Sequence, residues 1–281
     1  MSELRRRMVD DMKLKGLAPR TQEAYVGAVA QLARHTGRSP EELEEEELRD
    51  FFLYLLDKRK LAASSVRQYQ AGIKFFYDHT LEQPMSILDR VRPSVAKTLP
   101  VVLSEDEVRQ ILYRIRNPVY RTVLTLIYAC GLRLGEGLRV EIGDIDGPRG
   151  RLHVRHAKGN KDRFALLPER MYLLLRKYWV ENRPPRPFLF PSKKKNGPTC
   201  FSTVQRAFAQ ARNESEIAKK ATVHTLRHSY ATHLLERGVN IRIIQQCLGH
   251  QSIRTTERYS HVTVNAEVAA LNVVNKLMSD L

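Results

Sequence analysis

Apolar residues recur at helical spacing through the first hundred positions. Between Thr21 and His35, Tyr25, Val29, Leu32 and Ala33 fall on one face. Ser39-Pro40-Glu41-Glu42 has the form of a capping box with proline at the first helical position, and it predicts a helix running through Phe51, Phe52, Leu53, Leu55 and Leu56. A further start at Ser64 leads into Ile73, Phe76 and Tyr77; with Leu4 to Leu14 counted, the pattern is a four-helix bundle. Six Glu and one Asp against one Arg between Glu41 and Asp50 suit the solvated face of the helix expected from Pro40. Pro84, Pro93 and Pro100 then punctuate seventeen residues without a clear period, which reads as a linker.

Helical patterning resumes at a second capping box, Ser104-Glu105-Asp106-Glu107, and Val119 to Cys130 is apolar enough for a buried helix. Two-residue alternation marks strands at Leu152-His153-Val154-Arg155 and Phe164-Ala165-Leu166, with Ala157 to Asp162 as a hairpin tip. Met171 to Val180 is amphipathic and Arg183 to Pro191 is broken by proline. Further helices are expected near Thr203 to Arg212, Leu226 to Glu236, Ile241 to Leu248 and Ser252 to Arg258. The expected fold class is mostly α, with a small antiparallel sheet in the second part and no strand-helix alternation for a doubly wound sheet.

Charge sharpens this picture. The 281 residues carry 47 Lys and Arg against 31 Asp and Glu, a net +16. Residues 1–100 hold about +2 of it (17 basic against 15 acidic) and residues 101–281 about +14 (30 against 16), so a polyanion would dock on the second part. The most apolar run, Val123 to Leu132, is ten residues long and contains Thr125 and Gly131, short of the ~18–20 needed to span a bilayer. No apolar stretch follows the charged start Met1 to Arg7, so no secretory signal is expected and the expected location is cytoplasmic. Cys130, Cys200 and Cys247 have no paired spacing and read as reduced thiols.

Phosphate-binding, dinucleotide-binding, nucleophile-elbow and zincin motifs are all missing from the sequence. Asp144 and Asp146 could chelate a metal but suit turn hydrogen bonds better. His224, His228, Cys247 and His250 have ligand-like spacings, yet a core-facing His228 is expected to spoil a zinc site. What stands out is a set of residues without a metal: His224 and Arg227 three apart, so that both point the same way on a helix, then His250, then Tyr259.

Gly131-Leu132-Arg133-Leu134-Gly135-Glu136 with Asp144-Ile145-Asp146 resembles the first arginine box of the tyrosine recombinases, the phage-integrase and Xer-like enzymes. Lys158-Gly159-Asn160-Lys161-Asp162-Arg163 resembles their lysine-bearing turn. The stretch His224 to His233 is similar to their second box, Leu248-Gly249-His250 to their histidine motif, and Tyr259-Ser260-His261-Val262 to their nucleophile motif. Five motifs stand in the family's order, and Thr21-x-x-x-Tyr25 with Ser65 to Tyr77 is similar, more loosely, to the family's N-terminal domain.

The resemblance implies a helical core-binding (SAM-like) DNA-binding domain over residues 1–83, a linker over 84–100 and a mixed, mainly α catalytic domain over 101–281. It implies Tyr259 as nucleophile, Arg133 and Arg227 as transition-state cations, Lys158 as general acid, His224 as a proton-transfer aid and His250 as a hydrogen-bond partner of the scissile phosphate. No cofactor and no metal is implied. Lys161, three residues beyond Lys158, could reach the same phosphate; family register favours Lys158. Glu136 and Asp144 match structural acids, while Gly137 and Ser260 depart from commoner family residues.

The implied partners are double-stranded DNA recombination sites and further copies in a tetramer on DNA, with a second related recombinase as a further option. Val264, Val268, Leu271, Val274 and Leu277 recur at helical spacing, which suits a helix packing on its own domain; the resemblance implies instead that such a terminal helix packs on a neighbouring copy. The alternatives are a non-catalytic helix-turn-helix regulator, with Gly238 at the turn of Thr232 to His250, a tyrosine-type topoisomerase and, on charge alone, an RNA-binding protein.

Overall fold

The structure is a computed structural model that describes residues 3–94, 100–157, 161–192, 197–250 and 252–257. Its contacts divide the chain into two compact units, residues 1–97 and 98–281.

The first unit is helical: α1 (Glu3–Leu14), α2 (Pro19–Thr36), α3 (Glu45–Leu53), α4 (Ala63–Phe75) and the single turn α5 (Ile87–Arg90). The chain runs from α3 and α4 straight into π-helical turns at Tyr54–Lys58 and Phe76–Leu81. Met8, Met12, Leu32, Phe51, Ile73 and Phe76 form its core. Leu88, within the stretch read as a linker, belongs to the same core.

The helix expected from Pro40 begins later. Pro40–Glu42 is one 3-10 turn, and the Ser39 hydroxyl donates to Glu41 (3.2 Å) rather than capping a helix. Leu43 takes an extended backbone and is buried, which breaks the helix before it can propagate. The box forms five residues on, where the Glu44 amide donates to Glu47 (3.0 Å).

The second unit opens with α6 (Glu105–Arg114), capped as its sequence implies: the Glu107 amide donates to the Ser104 hydroxyl (3.2 Å) and the Ser104 amide to the Glu107 carboxylate (2.7 Å). Helix α7 (Pro118–Ala129), capped by Asn117, buries Val123, Leu124, Leu126 and Ile127; α8 (Leu134–Leu138) follows. An antiparallel sheet in the order β1 (Ile145–Asp146), β2 (Arg151–Ala157), β3 (Lys161–Leu166) comes next. It is followed by α9 (Glu169–Asn182), α10 (Phe201–Glu214), α11 (Val223–Glu236), α12 (Ile241–Leu248) and α13 (Arg254–Glu257).

Helix α11 starts at Val223, ahead of the expected Leu226, and it is the unit's spine. Nine of its residues are buried, including polar Thr225, Arg227, Ser229, Thr232 and His233. Ser229 accepts from the Leu103 amide (2.9 Å), and the His233 Nδ1 meets the Tyr128 hydroxyl (2.9 Å), so neighbouring segments are keyed to α11 by polar contacts. No helix among the described residues is long and apolar enough to cross a membrane.

In β3 the alternation is inverted relative to hydrophobicity. Phe164 and Leu166 face outward, 60% and 54% exposed, while Ala165 is buried and the Arg163 side chain is 10% exposed. Register explains it: Ala165 pairs with buried Leu152, and Arg163 with buried Val154.

Candidate active site

The site begins where α7 ends. Gly131 turns the chain with φ +60°, a left-handed conformation, and a Cβ there would lie 2.5 Å from the Tyr230 ring. Glycine answers both demands. The turn buries Leu132 and delivers Arg133 to the first turn of α8, where its amide donates to Glu136 Oε2 (2.8 Å) and its guanidinium to Glu136 Oε1 (2.7 Å).

Glu136 is the hub. Its side chain is 7% exposed, and two further guanidiniums reach it: Arg163 donates to Oε2 (2.8 Å), and Arg227 Nη1 stands 3.6 Å from the same oxygen. Burial pushes its carboxyl up, but Arg163, the Arg133 amide, Arg227 and Arg133 together hold it below the usual carboxylate range.

Arg227, 1% exposed, is a buried cation positioned by the chain itself. Nη1 donates to the Gly131 carbonyl (2.6 Å) and Nη2 to the Leu248 carbonyl (2.6 Å). Those carbonyls belong to the ends of α7 and α12, so two helix ends and α11 meet on one guanidinium.

His250 follows the C-terminal turn of α12. Gly249 makes that turn with φ +64°, and a Cβ there would lie 2.4 Å from Arg163 Cδ. The His250 Nδ1 meets the buried Thr256 hydroxyl (2.9 Å), and Gln245 donates to its carbonyl (3.0 Å). Burial, reinforced by Arg227, Arg133, Arg163 and His228, lowers the imidazole pKa to about 3. It is neutral at physiological pH and acts as a hydrogen-bonding group, not a cation.

Three residues singled out by sequence thus converge: Arg133 and Arg227 both reach Glu136, and His250 lies within electrostatic reach of both guanidiniums. His224, in the first turn of α11, is exposed, so its spacing from buried Arg227 foretold the helix but not the depth. The expectation of a core-facing His228 is corrected: it is partly exposed and meets His224 edge-on at 4.5 Å, as i,i+4 neighbours do. Cys247 is buried against the Tyr230 hydroxyl. Among the described residues no three His, Cys, Asp or Glu are grouped to hold a metal ion. Asp144 is buried and accepts from Arg155 and from the Glu141 amide (2.9 Å); Asp146 accepts from the Arg149 amide (3.1 Å) in a turn.

Lys158, Tyr259 and the terminal segment with Val264 to Leu277 lie outside the described residues, and so does the Lys161 side chain. The departure at Gly137 has a steric reason: a Cβ there would lie 2.7 Å from the Ile127 side chain, so α7 and α8 approach closely because one partner is glycine. Arg163 is the site member that reading by residue type passed over. Its strand register, with Ala165 opposite Leu152 and Arg163 opposite Val154, puts it on the buried face, and no pattern within β3 itself shows this.

A helical unit joined to a unit with a three-arginine cluster defines a class. The Phage integrase family model matches residues 101–266, and the Phage integrase N-terminal SAM-like domain matches residues 4–87. The chain belongs to the phage integrase family, the tyrosine recombinases. A putative integrase/recombinase of Sinorhizobium fredii is 37% identical over 268 residues, covering 94% of this chain and 86% of that protein. A tyrosine recombinase of Thermosipho africanus is 32% identical, covering 92% and 93%. Among solved structures, XerA recombinase is 27% identical with TM-score 0.55 (96% of this chain, 97% of that one). A lambda integrase dimer bound to a core site shares the fold at 21% identity and TM-score 0.74, covering 92% and 94%.

Proposed function

We propose that this protein is a site-specific DNA recombinase that cuts and rejoins duplex DNA through a covalent 3′-phosphotyrosyl intermediate, without metal or ATP. The Tyr259 phenolic oxygen attacks the scissile phosphorus, the bond to the 5′-oxygen breaks, and Lys158 gives that oxygen its proton. His224 assists the loss of the Tyr259 proton, since a phenol of ordinary pKa about 10 needs help at neutral pH. Arg133 and Arg227 balance the charge that develops on the phosphate, and His250, neutral, hydrogen-bonds one of its oxygens. The phosphotyrosyl ester keeps the energy of the broken bond, so a 5′-hydroxyl from another duplex reverses the step without ATP.

The observation that carries this reading is the charge of the cluster. Among the described residues Arg133, Arg163 and Arg227 all reach one carboxylate, Glu136, an arrangement rich in positive charge that suits a phosphate. In the same reading residues 1–83 are the core-binding domain, 84–100 the linker and 101–281 the catalytic domain. The partners are double-stranded recombination sites and a tetramer of this chain, or of it with a related recombinase, in the cytoplasm.

The test is a nicked suicide duplex from DNA flanking the gene, incubated in EDTA with wild type or Tyr259→Phe and run on a denaturing gel. The expected result is an adduct with wild type alone. DNA binding with no adduct on any duplex would favour the regulator, and an adduct that relaxes supercoils but never joins two duplexes would favour the topoisomerase.

A further inference from the structure

Arg163 is a buried guanidinium with no role in the chemistry proposed above. Its register opposite Val154 turns it inward from β3. One arm of its fork donates to Glu136 Oε2 (2.8 Å) in α8, and the other to the Cys247 carbonyl (2.6 Å) in the last turn of α12. Its Nε is buried and finds no acceptor among the described residues. Room for its stem exists because residue 249 is glycine: a Cβ there would meet both Cδ (2.4 Å) and Nε (2.7 Å).

A buried ion pair with an orphaned donor is a poor stabiliser, since desolvation offsets most of its attraction. The arrangement makes better sense as geometry. Glu136 Oε2 accepts from Arg163 and from the Arg133 amide while Oε1 accepts from the Arg133 guanidinium, so the orientation of a single carboxylate, held from one side by Arg163, bears on where that guanidinium lies. On the other side, the carbonyl held by Arg163 is one residue before the Leu248 carbonyl that holds Arg227. A planar fork with fixed spacing between its arms ties α8 to the end of α12, and a lysine cannot do so.

The geometry points to Arg163 as a positioning residue that sets the placement of Arg133 against Arg227. This inference rests on the recombinase reading. Misplacing an oriented group by about 1 Å costs on the order of 100-fold in rate, and that is the loss expected for Arg163→Met and, somewhat smaller, for Arg163→Lys.

The experiment is single-turnover cleavage in EDTA by wild type, Arg163→Lys, Arg163→Met and Arg133→Ala. Nicked duplexes tiling the DNA that flanks the gene are first screened with wild type for adduct. The reactive duplex is then made twice, with a scissile phosphate and with a neutral methylphosphonate in its place. On the methylphosphonate the charge that Arg133 balances is absent, so the Arg133→Ala deficit shrinks. If Arg163 acts by placing Arg133, its variants' deficits shrink in parallel, from about 100-fold to under about 10-fold, with noncovalent DNA affinity unchanged.

A deficit of the same size on both substrates marks a merely structural role and overturns the inference, as does wild-type cleavage by the Arg163 variants. Arg163→Lys keeps the charge beside Glu136, so it gives the answer if Arg163→Met does not fold. Wild type failing to form adduct on any duplex is a different result, and it overturns the recombinase reading itself.

Discussion

At the scale of single residues, the site is a problem of buried charge. Glu136 neutralises part of a cluster that would otherwise repel itself, so Glu136→Gln, which keeps the shape and removes the charge, takes away the carboxylate that Arg163 and Arg227 both reach. The expected cost is about 3 kcal/mol, read as a lower midpoint in urea unfolding. His250 has the opposite character. Its folded pKa of about 3 lies far below the 6.5 of an unfolded histidine, so between those values the unfolded chain binds the extra proton. Its contribution to stability is therefore full above pH 6.5 and is lost as pH falls toward 3. Melting curves from pH 7.5 to 4.5 are expected to show a steeper decline for wild type than for His250→Gln; parallel declines would contradict the burial of a neutral imidazole.

At the scale of elements, turns do as much as helices to position the site. Gly131→Ala would force a left-handed conformation on alanine and press a methyl into the Tyr230 ring. The expected loss is about 3 kcal/mol, and cleavage falls with it because the Gly131 carbonyl holds Arg227. Ser104→Ala removes only a cap at the surface, so about 1 kcal/mol and unchanged cleavage are expected, by the same unfolding and adduct measurements.

Legibility in the sequence followed the same division. Periodicity showed the buried helices and the small sheet, because those patterns depend on neighbours a few residues apart. It misplaced the start of α3, where burial of Leu43 outweighed a good local capping signal. It had no means to see that Phe164 lies outside and Arg163 inside, because facing in β3 is decided by its partner strand. Motif order singles out Arg133, Arg227 and His250, yet the contacts that aim Arg227 lie far off in sequence, the Gly131 carbonyl 96 residues away and the Leu248 carbonyl 21.

At the scale of the molecule, the buried clusters of the first unit and of the second share no residue. Residues 1–94 and 100–281 made separately are each expected to melt cooperatively in circular dichroism. Charge is divided less evenly, about +14 lying beyond residue 100. Each phosphate contact contributes roughly −0.9 to the slope of log affinity against log salt. Removing residues 1–94 is therefore expected to lower that slope by less than half, measured by fluorescence anisotropy on duplex DNA. A larger drop would assign most phosphate contacts to the first unit.

The anchoring of Arg227 has one more consequence. Its guanidinium is aimed by carbonyls at Gly131 and Leu248 and by a helix that begins at Val223, so a growing chain on the ribosome has no aligned cation until nearly all of the second unit has emerged. A product truncated before Leu248 is therefore expected to lack one of the two carbonyls that aim Arg227, so the proposed DNA chemistry waits on residues that emerge late in synthesis.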